Sequence, residues 1–442
     1  MPKLRIGQRL LGTNSGLPVV IEAFLGEGGQ GEVYRVLLGP ERFALKWYNE
    51  RMLAVDPRLR GRIEAAIEAR APLERFLWPF ELVTRDDGSG LGYLMRLRGE
   101  QYVNLVDLIG GDIRPSFRVL ALLCFQLADA FFALHAKGLS YQDISAANVF
   151  VDPRSGDIQI CDNDNVDVDG AASVMGGTPE YQSPELVLRR GGPRRTTDLY
   201  ALAVLLFRVL HVGHPLIGRR EFAFANIAAP EARGKLYGSE PVFVFDPVDE
   251  SNRPDPQVHG PVIAHWSIYP QFVKDLFTKA FTEGLFDPEH GRVQETQWRR
   301  AMSQLRDAVM VCSGCGGESC YDARRVRQGV IHCWGCDATL SAAPPRIGLR
   351  RAGARSGEAP AHVVILEPGV LLHPHHTSGG EYDFSRITAE VLGQPLALMN
   401  RSSQAWTAVF ADRSEQVVPG AALLLENGLR VRFGHVEGEV KL

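Results

Sequence analysis

Apolar and polar positions alternate in short blocks near the start of the chain. Val19-Val20-Ile21-Glu22-Ala23-Phe24 and Val33-Tyr34-Arg35-Val36 read as strands on either side of a glycine-rich turn, and Phe43-Ala44-Leu45-Lys46 follows at the distance of one further β-hairpin. Arg62-Ile63-Glu64-Ala65-Ala66-Ile67-Glu68-Ala69-Arg70 has helix-forming composition. The longest greasy segments, around Val119 to Leu134 and Leu199 to Leu210, are interrupted by Gln126, Asp129 and Arg208, and they read as buried helices, not membrane spans. From His362 onward short apolar runs alternate with turns: Val363 to Leu366, Trp406 to Phe410, and Leu423 to Val431. That is a small β-sandwich pattern, with Asn427-Gly428 expected as a hairpin turn.

The turn between the first two strands reads Leu25-Gly26-Glu27-Gly28-Gly29-Gln30-Gly31. In a chain with 45 glycines, Gly26, Gly28 and Gly31 carry little weight alone, because glycines serve many turns. The flanks decide the reading: a dinucleotide-binding fingerprint needs a helix after the glycines, whereas strands on both sides predict a hairpin lid. Glycines let backbone N–H groups approach phosphate oxygens, and Lys46 on the next strand supplies a point charge for the α and β phosphates of ATP. An ordinary glycine-rich hairpin with an exposed lysine is the alternative.

Downstream, Tyr141-Gln142-Asp143-Ile144-Ser145-Ala146-Ala147-Asn148-Val149-Phe150-Val151 holds an Asp and an Asn at i, i+5, and Ile160-Cys161-Asp162 follows on a second strand-like run. Taken singly, Asp143 and Asn148 could cap turns or helices, and Asp162 could belong to a solvated acidic loop with Asp164, Asp167 and Asp169. As an ordered set they resemble eukaryotic-like protein kinases over roughly the first 305 residues. The resemblance implies that Asp143 accepts or orients the acceptor's hydroxyl proton, and that Asn148 and Asp162 hold Mg2+, with Mn2+ as an alternative ion. It further implies that Gly176 to Glu185 closes an activation segment, that Asp198 braces the catalytic loop, and that Arg292 pairs with Glu185. Glu68 is expected to orient Lys46 from the helix, with Glu64 as the alternative. Tyr93-Leu94-Met95-Arg96-Leu97 would be the last small-lobe strand and the hinge. Met95 would lie near the gatekeeper, Leu97 against adenine, and Leu25, Val33 and Ala44 over the ring.

Three departures from the family pattern matter. Tyr141-Gln142 stands where relatives have His-Arg, so no arginine precedes Asp143 to receive an activation-loop phosphate. Ser145 stands where Ser/Thr kinases place a lysine; losing one such positioned charge costs roughly 10²-fold in rate. Asp162-Asn163-Asp164 replaces Asp-Phe-Gly, which predicts a less flippable segment.

Composition sets the remaining bounds. At 442 residues and 45% hydrophobic, the chain has core material for two to three domains. A net charge of -4 gives no global pull toward nucleic acid. With no apolar core after Met1-Pro2-Lys3-Leu4-Arg5, a cytoplasmic location without membrane attachment is expected. Of seven cysteines, Cys312-Ser313-Gly314-Cys315 and Cys333-Trp334-Gly335-Cys336 form two knuckles of a zinc ribbon, predicting a closed structural Zn2+ site, with a redox pair as the rival. Cys320 is a spare, read as a free thiol before a substitute ligand. Arg324, Arg325, Arg327, Arg346, Arg350, Arg351 and Arg355 read as a solvated face or linker before a nucleic-acid surface. His373, His375 and His376 read as a loop of exposed histidines before a metal site.

The expected fold class is α+β: a bilobal kinase fold, β-rich small lobe and α-rich large lobe, followed by a zinc ribbon and a small all-β sandwich-like domain. The expected boundaries are 1–97 small lobe, 98–308 large lobe, 309–342 ribbon, 343–360 flexible linker and 361–442 β domain. Ser385 to Val391 and Leu429 to Gly434 resemble a forkhead-associated domain, without the upstream Gly-Arg of that family. The whole order, together with Cys161-Asp162-Asn163-Asp164-Asn165 and the proline-rich segment Tyr237 to Tyr269, is similar to bacterial kinases encoded alongside von Willebrand A-type proteins and phosphatases in tellurite-resistance-linked systems. That resemblance implies an active protein kinase, Ser/Thr-directed, whose partners are ATP and a protein substrate such as a von Willebrand A-type protein or a phosphatase. The rival expectation is a nucleotide-binding scaffold acting through its C-terminal modules.

Overall fold

The computed structural model describes residues 3–171, 177–328, 331–340, 344–353 and 360–442. The chain forms two compact units, one of Met1–Pro115, Leu122–Ser267 and Lys274–Arg300, the other of Ser116–Ala121, Ile268–Val273 and Ala301–Leu442.

The first unit opens with six strands: β1 (Arg9–Gly12), β2 (Pro18–Glu27), β3 (Gly31–Leu38), β4 (Glu41–Tyr48), β5 (Glu81–Thr84) and β6 (Gly92–Arg96). They close into a barrel in the order β1-β2-β3-β4-β6-β5. Alternation drives this, since Val19, Ile21, Tyr34, Val36, Leu45 and Trp47 all point to one buried cluster. The β2/β3 hairpin carries the glycine turn, and its register slips between Phe24 and Gly26. A Cβ at Gly31 would lie 2.2 Å from the Trp47 carbonyl oxygen, so strand packing demands that glycine; at Gly26 and Gly28 a Cβ would meet nothing within 4 Å.

Between β4 and β5 run α1 (Glu50–Val55) and α2 (Leu59–Ala69). Helix α2 turns Leu59, Ile63 and Ala66 inward, the i, i+4, i+7 stripe of a half-buried helix. Beyond the barrel the unit is mainly helical. Helix Arg195–His211 buries almost every side chain from Thr197 onward. Helix Phe117–Ala136 is long and apolar enough to cross a membrane by length and composition, and most of it is buried inside the protein.

The second unit holds two short hairpins and a sandwich. Val309–Val311 pairs with Glu318–Cys320, and Ile331–His332 with Thr339–Leu340; each hairpin carries one cysteine knuckle at its turn. The sandwich has a six-stranded sheet, in the order His362–Ile365, Arg346–Arg351, Val436–Lys441, Arg430–Arg432, Trp406–Val409, Ser414–Val417. Its four-stranded partner runs Leu371–Leu372, Ala389–Leu392, Ala397–Asn400, Ala422–Leu424. Ile347, Leu349, Val364, Val391, Leu398, Trp406 and Val431 share one core.

Two expectations are corrected here. The linker expected over 343–360 contains a strand, Arg346–Arg351, paired on both edges with His362–Ile365 and Val436–Lys441. Its arginines gave it a polar, tether-like composition, but Ile347 and Leu349 alternate inward with period two. Residues 341–343 and 354–359, including Arg355, lie outside those described. Asn427-Gly428 is not a hairpin turn either. The strands on its two sides lie in different sheets, and Gly428 N–H donates to Val440 O at 2.9 Å.

Candidate functional site

A cleft of about 700 Å³ opens beside the glycine turn. Leu25, Gly26, Gly28, Gly31, Val33, Ala44, Lys46, Met95, Leu97, Asn148 and Asp162 all line it, with Phe150 and Cys161. The size and mixed lining suit a small organic ligand with a few fixed polar contacts. Adjacent strands bring these positions together: Val33 faces Lys46 across β3/β4, and Ala44 faces Met95 across β4/β6.

Lys46 does not meet the glutamate expected of it. Among the described residues no hydrogen bond or ion pair links it to Glu68 or Glu64; Glu68 is exposed, and Glu64 pairs with Arg60 at 3.0 Å. The reason is helical phase. The stripe that buries Leu59, Ile63 and Ala66 turns positions 64 and 68 outward. Lys46 Nζ instead lies 3.0 Å from both carboxylate oxygens of Asp164 and 3.4 Å from Asp162 Oδ1. It also donates to Gln30 Oε1 in the glycine turn. Tyr48 O–H donates to Asp164 Oδ2 at 2.6 Å and Tyr93 O–H to Oδ1 at 3.1 Å.

Electrostatics follow from this geometry. Burial alone would raise Asp164, but the Lys46 ammonium and the bonds from Tyr48 and Lys46 hold it below the usual carboxylate range. Burial alone would lower Lys46; Asp164 and Asp162 outweigh it and raise it. Asp162 is pushed up by burial, only partly countered by Lys46. It sits in the left-handed region at φ 55°, as does Gln142 at φ 72°; these are sparse conformations for non-glycine residues, and such strain clusters at functional sites.

On the opposite side, Asn148 Nδ2 donates to the Asp143 backbone oxygen at 2.9 Å and to Asp143 Oδ2 at 3.1 Å, which leaves Asn148 Oδ1 as its atom for a cation. Asn148 Oδ1 and the Asp162 carboxylate are hard oxygen donors on one cleft, a set that fits Mg2+. Asp143 Oδ1 accepts from both N–H and Oγ1 of Thr178, at 2.7 and 2.8 Å. Asp198 accepts from the backbone N–H of Tyr141 at 2.6 Å and of Gln142 at 3.1 Å, tying down the loop before Asp143. Asp198 and Glu295 clasp the buried His135. Arg292 donates to Glu185 at 2.8 Å. Among the described residues, Ser145 Oγ is buried with no hydrogen-bond partner. Gly176 lies outside the described residues.

Sequence reasoning missed Asp164, Tyr48, Tyr93, Arg62 and Thr178. The available signal was slight: Tyr48 lies two residues after Lys46, hence on the same strand face, and Asp164 is a carboxylate where relatives place glycine.

The four thiols Cys312, Cys315, Cys333 and Cys336 lie within 4.8 Å of one another. The Cys312–Cys336 and Cys315–Cys333 sulfurs are 3.8 and 3.6 Å apart. A tetrahedron with Zn–S of about 2.3 Å has edges of about 3.8 Å, so this set fits Zn2+. Cys320 is buried on the first hairpin, opposite Val309, outside that group.

The histidines expected to be exposed are corrected: His373 and His376 are buried. His376 and His362 each meet Asp307 Oδ2 at 2.8 Å, and Arg306 meets Asp307 Oδ1 at 2.8 Å. His375, His376 and Asp307 also come within metal-ligand spacing. Yet His376 Nδ1 accepts the His373 N–H at 2.9 Å, so its Nε2 carries the proton given to Asp307, and that cluster closes as a hydrogen-bond network. Of the arginines, Arg350 pairs with Glu439, Arg325 donates to Tyr269 O, and Arg346 stacks over Tyr321, so these are engaged within the protein.

Comparison with known proteins places the cleft in context. Residues 19–232 match the protein kinase domain model. Ribosomal protein S6 kinase alpha-6 of Danio rerio is 32% identical over 212 residues, 44% of this chain and 27% of that protein. Human ribosomal protein S6 kinase alpha-2 is 31% identical over the same shares, and serine/threonine-protein kinase Sgk1 of Danio rerio is 27% identical over 44% of this chain and 46% of its own. The chain therefore spans about a quarter of the S6 kinases and under half of Sgk1. Strand-flanked glycine turn, buried lysine, and an aspartate and asparagine bonded at i, i+5 all fall inside residues 19–232, the stretch that matches the protein kinase domain model.

Proposed function

We propose that this chain is an ATP- and Mg2+-dependent protein kinase that transfers the γ-phosphoryl group to a protein hydroxyl, with serine or threonine as acceptor. The observation that carries the reading is one cleft lined by Lys46, Asn148 and Asp162, with Asp143 bonded to Asn148 at its edge. The named relatives, among them a serine/threonine-protein kinase, support the choice of acceptor.

In the reaction, the acceptor oxygen forms a bond to the γ-phosphorus as the bond to the β–γ bridging oxygen breaks. ADP leaves, and the hydroxyl proton passes to the Asp143 carboxylate. Thr178 and Asn148 fix that carboxylate, and Lys46 supplies positive charge to the α and β phosphates. Asn148 Oδ1 and Asp162 would hold Mg2+, or Mn2+, which neutralises charge on the phosphate oxygens.

The four-thiolate set would hold a structural Zn2+, and the β-sandwich would recruit a partner protein, such as a von Willebrand A-type protein or phosphatase of the same system. We place this activity in the cytoplasm and assign no nucleic acid or membrane as partner.

One observation favours the scaffold reading: Ser145, buried and unpartnered among the described residues, brings no cation where related kinases use a lysine. Transfer of radiolabel from ATP to the chain or to a partner, compared with Asp143→Ala and Asp162→Ala, separates the two. Loss in both variants supports the kinase. ATP binding without transfer in the natural chain supports the scaffold.

A further inference from the structure

We propose that Asp164, two residues beyond the expected metal ligand Asp162, is the positioning residue for Lys46 and does the work that the helix glutamate does in related kinases. This rests on the kinase reading of the same cleft and deepens it.

The geometry is specific. Lys46 and Tyr93 face each other directly across the β4/β6 ladder, and Tyr48 is the next residue on the Lys46 face of β4. All three side chains reach the same carboxylate. Each oxygen of Asp164 takes one tyrosine hydroxyl and one contact from the ammonium, so rotation of the carboxylate would disturb all four contacts at once. The Lys46 and Asp164 side chains are 5% and 2% exposed, so water offers no substitute partner. With its oxygens engaged in this way, Asp164 serves orientation and leaves metal binding to its neighbour.

The anchor is itself held from two sides. Arg62 of α2, paired to Asp56 at 2.7 Å, donates from Nε to the Asp164 backbone oxygen at 2.8 Å. Asn163 Nδ2 donates to Leu77 O at 2.8 Å and Ile160 O at 3.0 Å. The helix thus still supports the lysine, through an arginine and the backbone of the aspartate. A carboxylate moved from helix to activation segment accounts for both departures: why Glu64 and Glu68 point outward, and why glycine is absent at position 164.

The test is a double-mutant cycle on the full chain, reading MgATP affinity by calorimetry and transfer rate by radiolabel. Asp164→Asn is expected to weaken MgATP binding about tenfold with Lys46 present and less than about twofold in a Lys46→Met background, because its effect runs through Lys46. Glu68→Gln should change neither reading beyond about twofold. Equal losses in both backgrounds, or a Lys46-dependent loss in Glu68→Gln, would overturn the proposal. Should Asp164→Asn fail to fold, the Tyr48→Phe/Tyr93→Phe variant is carried through the same cycle; a Lys46-independent effect there overturns it equally. Absence of transfer by the natural chain, with the binding cycle still coupled, defeats the kinase reading alone.

Discussion

Thr178 gives both of its hydrogen-bond donors to one oxygen of Asp143, the backbone N–H at 2.7 Å and the hydroxyl at 2.8 Å. A group meant to accept a proton must present its free lone pair in one direction, and two donors on a single oxygen fix that direction. Thr178→Val should therefore lower kcat for phosphate transfer about tenfold, with the KM for ATP little changed, and Thr178→Ser should restore most of the loss. Initial rates at saturating and limiting ATP decide this; an unchanged kcat in Thr178→Val would show that the backbone bond suffices.

The clasp on His135 makes stability depend on pH. Burial alone would lower its pKa, but Asp198 and Glu295 raise it from 6.5 to about 9. A raised folded pKa gives stability that is fully present below 6.5 and is lost as pH climbs through 9. Glu295 runs the other way: burial would raise it, yet bonds from His135 and Arg195 hold it at about 2, so its contribution is present above 4.5 and lost as pH falls through 2. From this pair, the unfolding free energy read by urea titration should show an alkaline limb that falls by about 3 kcal/mol between pH 6.5 and 9. His135→Gln should flatten the alkaline limb; a limb of unchanged slope would assign it to another group.

Much of the cleft was legible because its lining comes from neighbouring strands and short loops, where local spacing decides which residues meet. Gly26, Val33, Ala44 and Lys46 needed only two hairpins to come together. What could not be read were pairings fixed by phase and distance. Asp164 lies 118 residues from Lys46, and only the burial of Ile63 and Ala66 shows that Glu64 and Glu68 face away. His376 lies 69 residues from Asp307, so its burial had no local sign. Strand Arg346–Arg351 was hidden for a different reason: its arginines lie among alternating core positions, and their stems cover apolar surface while composition alone reads as a tether.

Asn163 stands where the Asp-Phe-Gly pattern has its aromatic residue, and here it is fully buried and bonded to two carbonyls. Asn163→Ala takes the side-chain donor from Leu77 O in a dry site, while Ile160 O keeps the Leu77 N–H at 2.8 Å, and the loss costs about 1–3 kcal/mol. Chemical denaturation should show that loss, and hydrogen exchange should show faster opening at the turn Asn163–Asn165. Exchange as slow as in the natural chain would mean that the Lys46–Asp164 pair alone holds the segment.

The cysteine knuckles give the last prediction. Each hairpin of this segment is only two or three residue pairs long, too little to persist without a cross-link. Four thiolates around one zinc would supply that link, with apparent free energies of about 10–16 kcal/mol in small zinc-finger peptides. Purified chain should contain one zinc per molecule. Cys312→Ser or Cys333→Ser should lose it, whereas Cys320→Ser should keep it, because Cys320 stands outside the sulfur group. Chelation should then melt the ribbon hairpins while MgATP binding in the kinase domain persists. If thiol titration instead finds the four sulfurs as two disulfides that reduce reversibly without metal, the segment is a redox device and the zinc assignment fails.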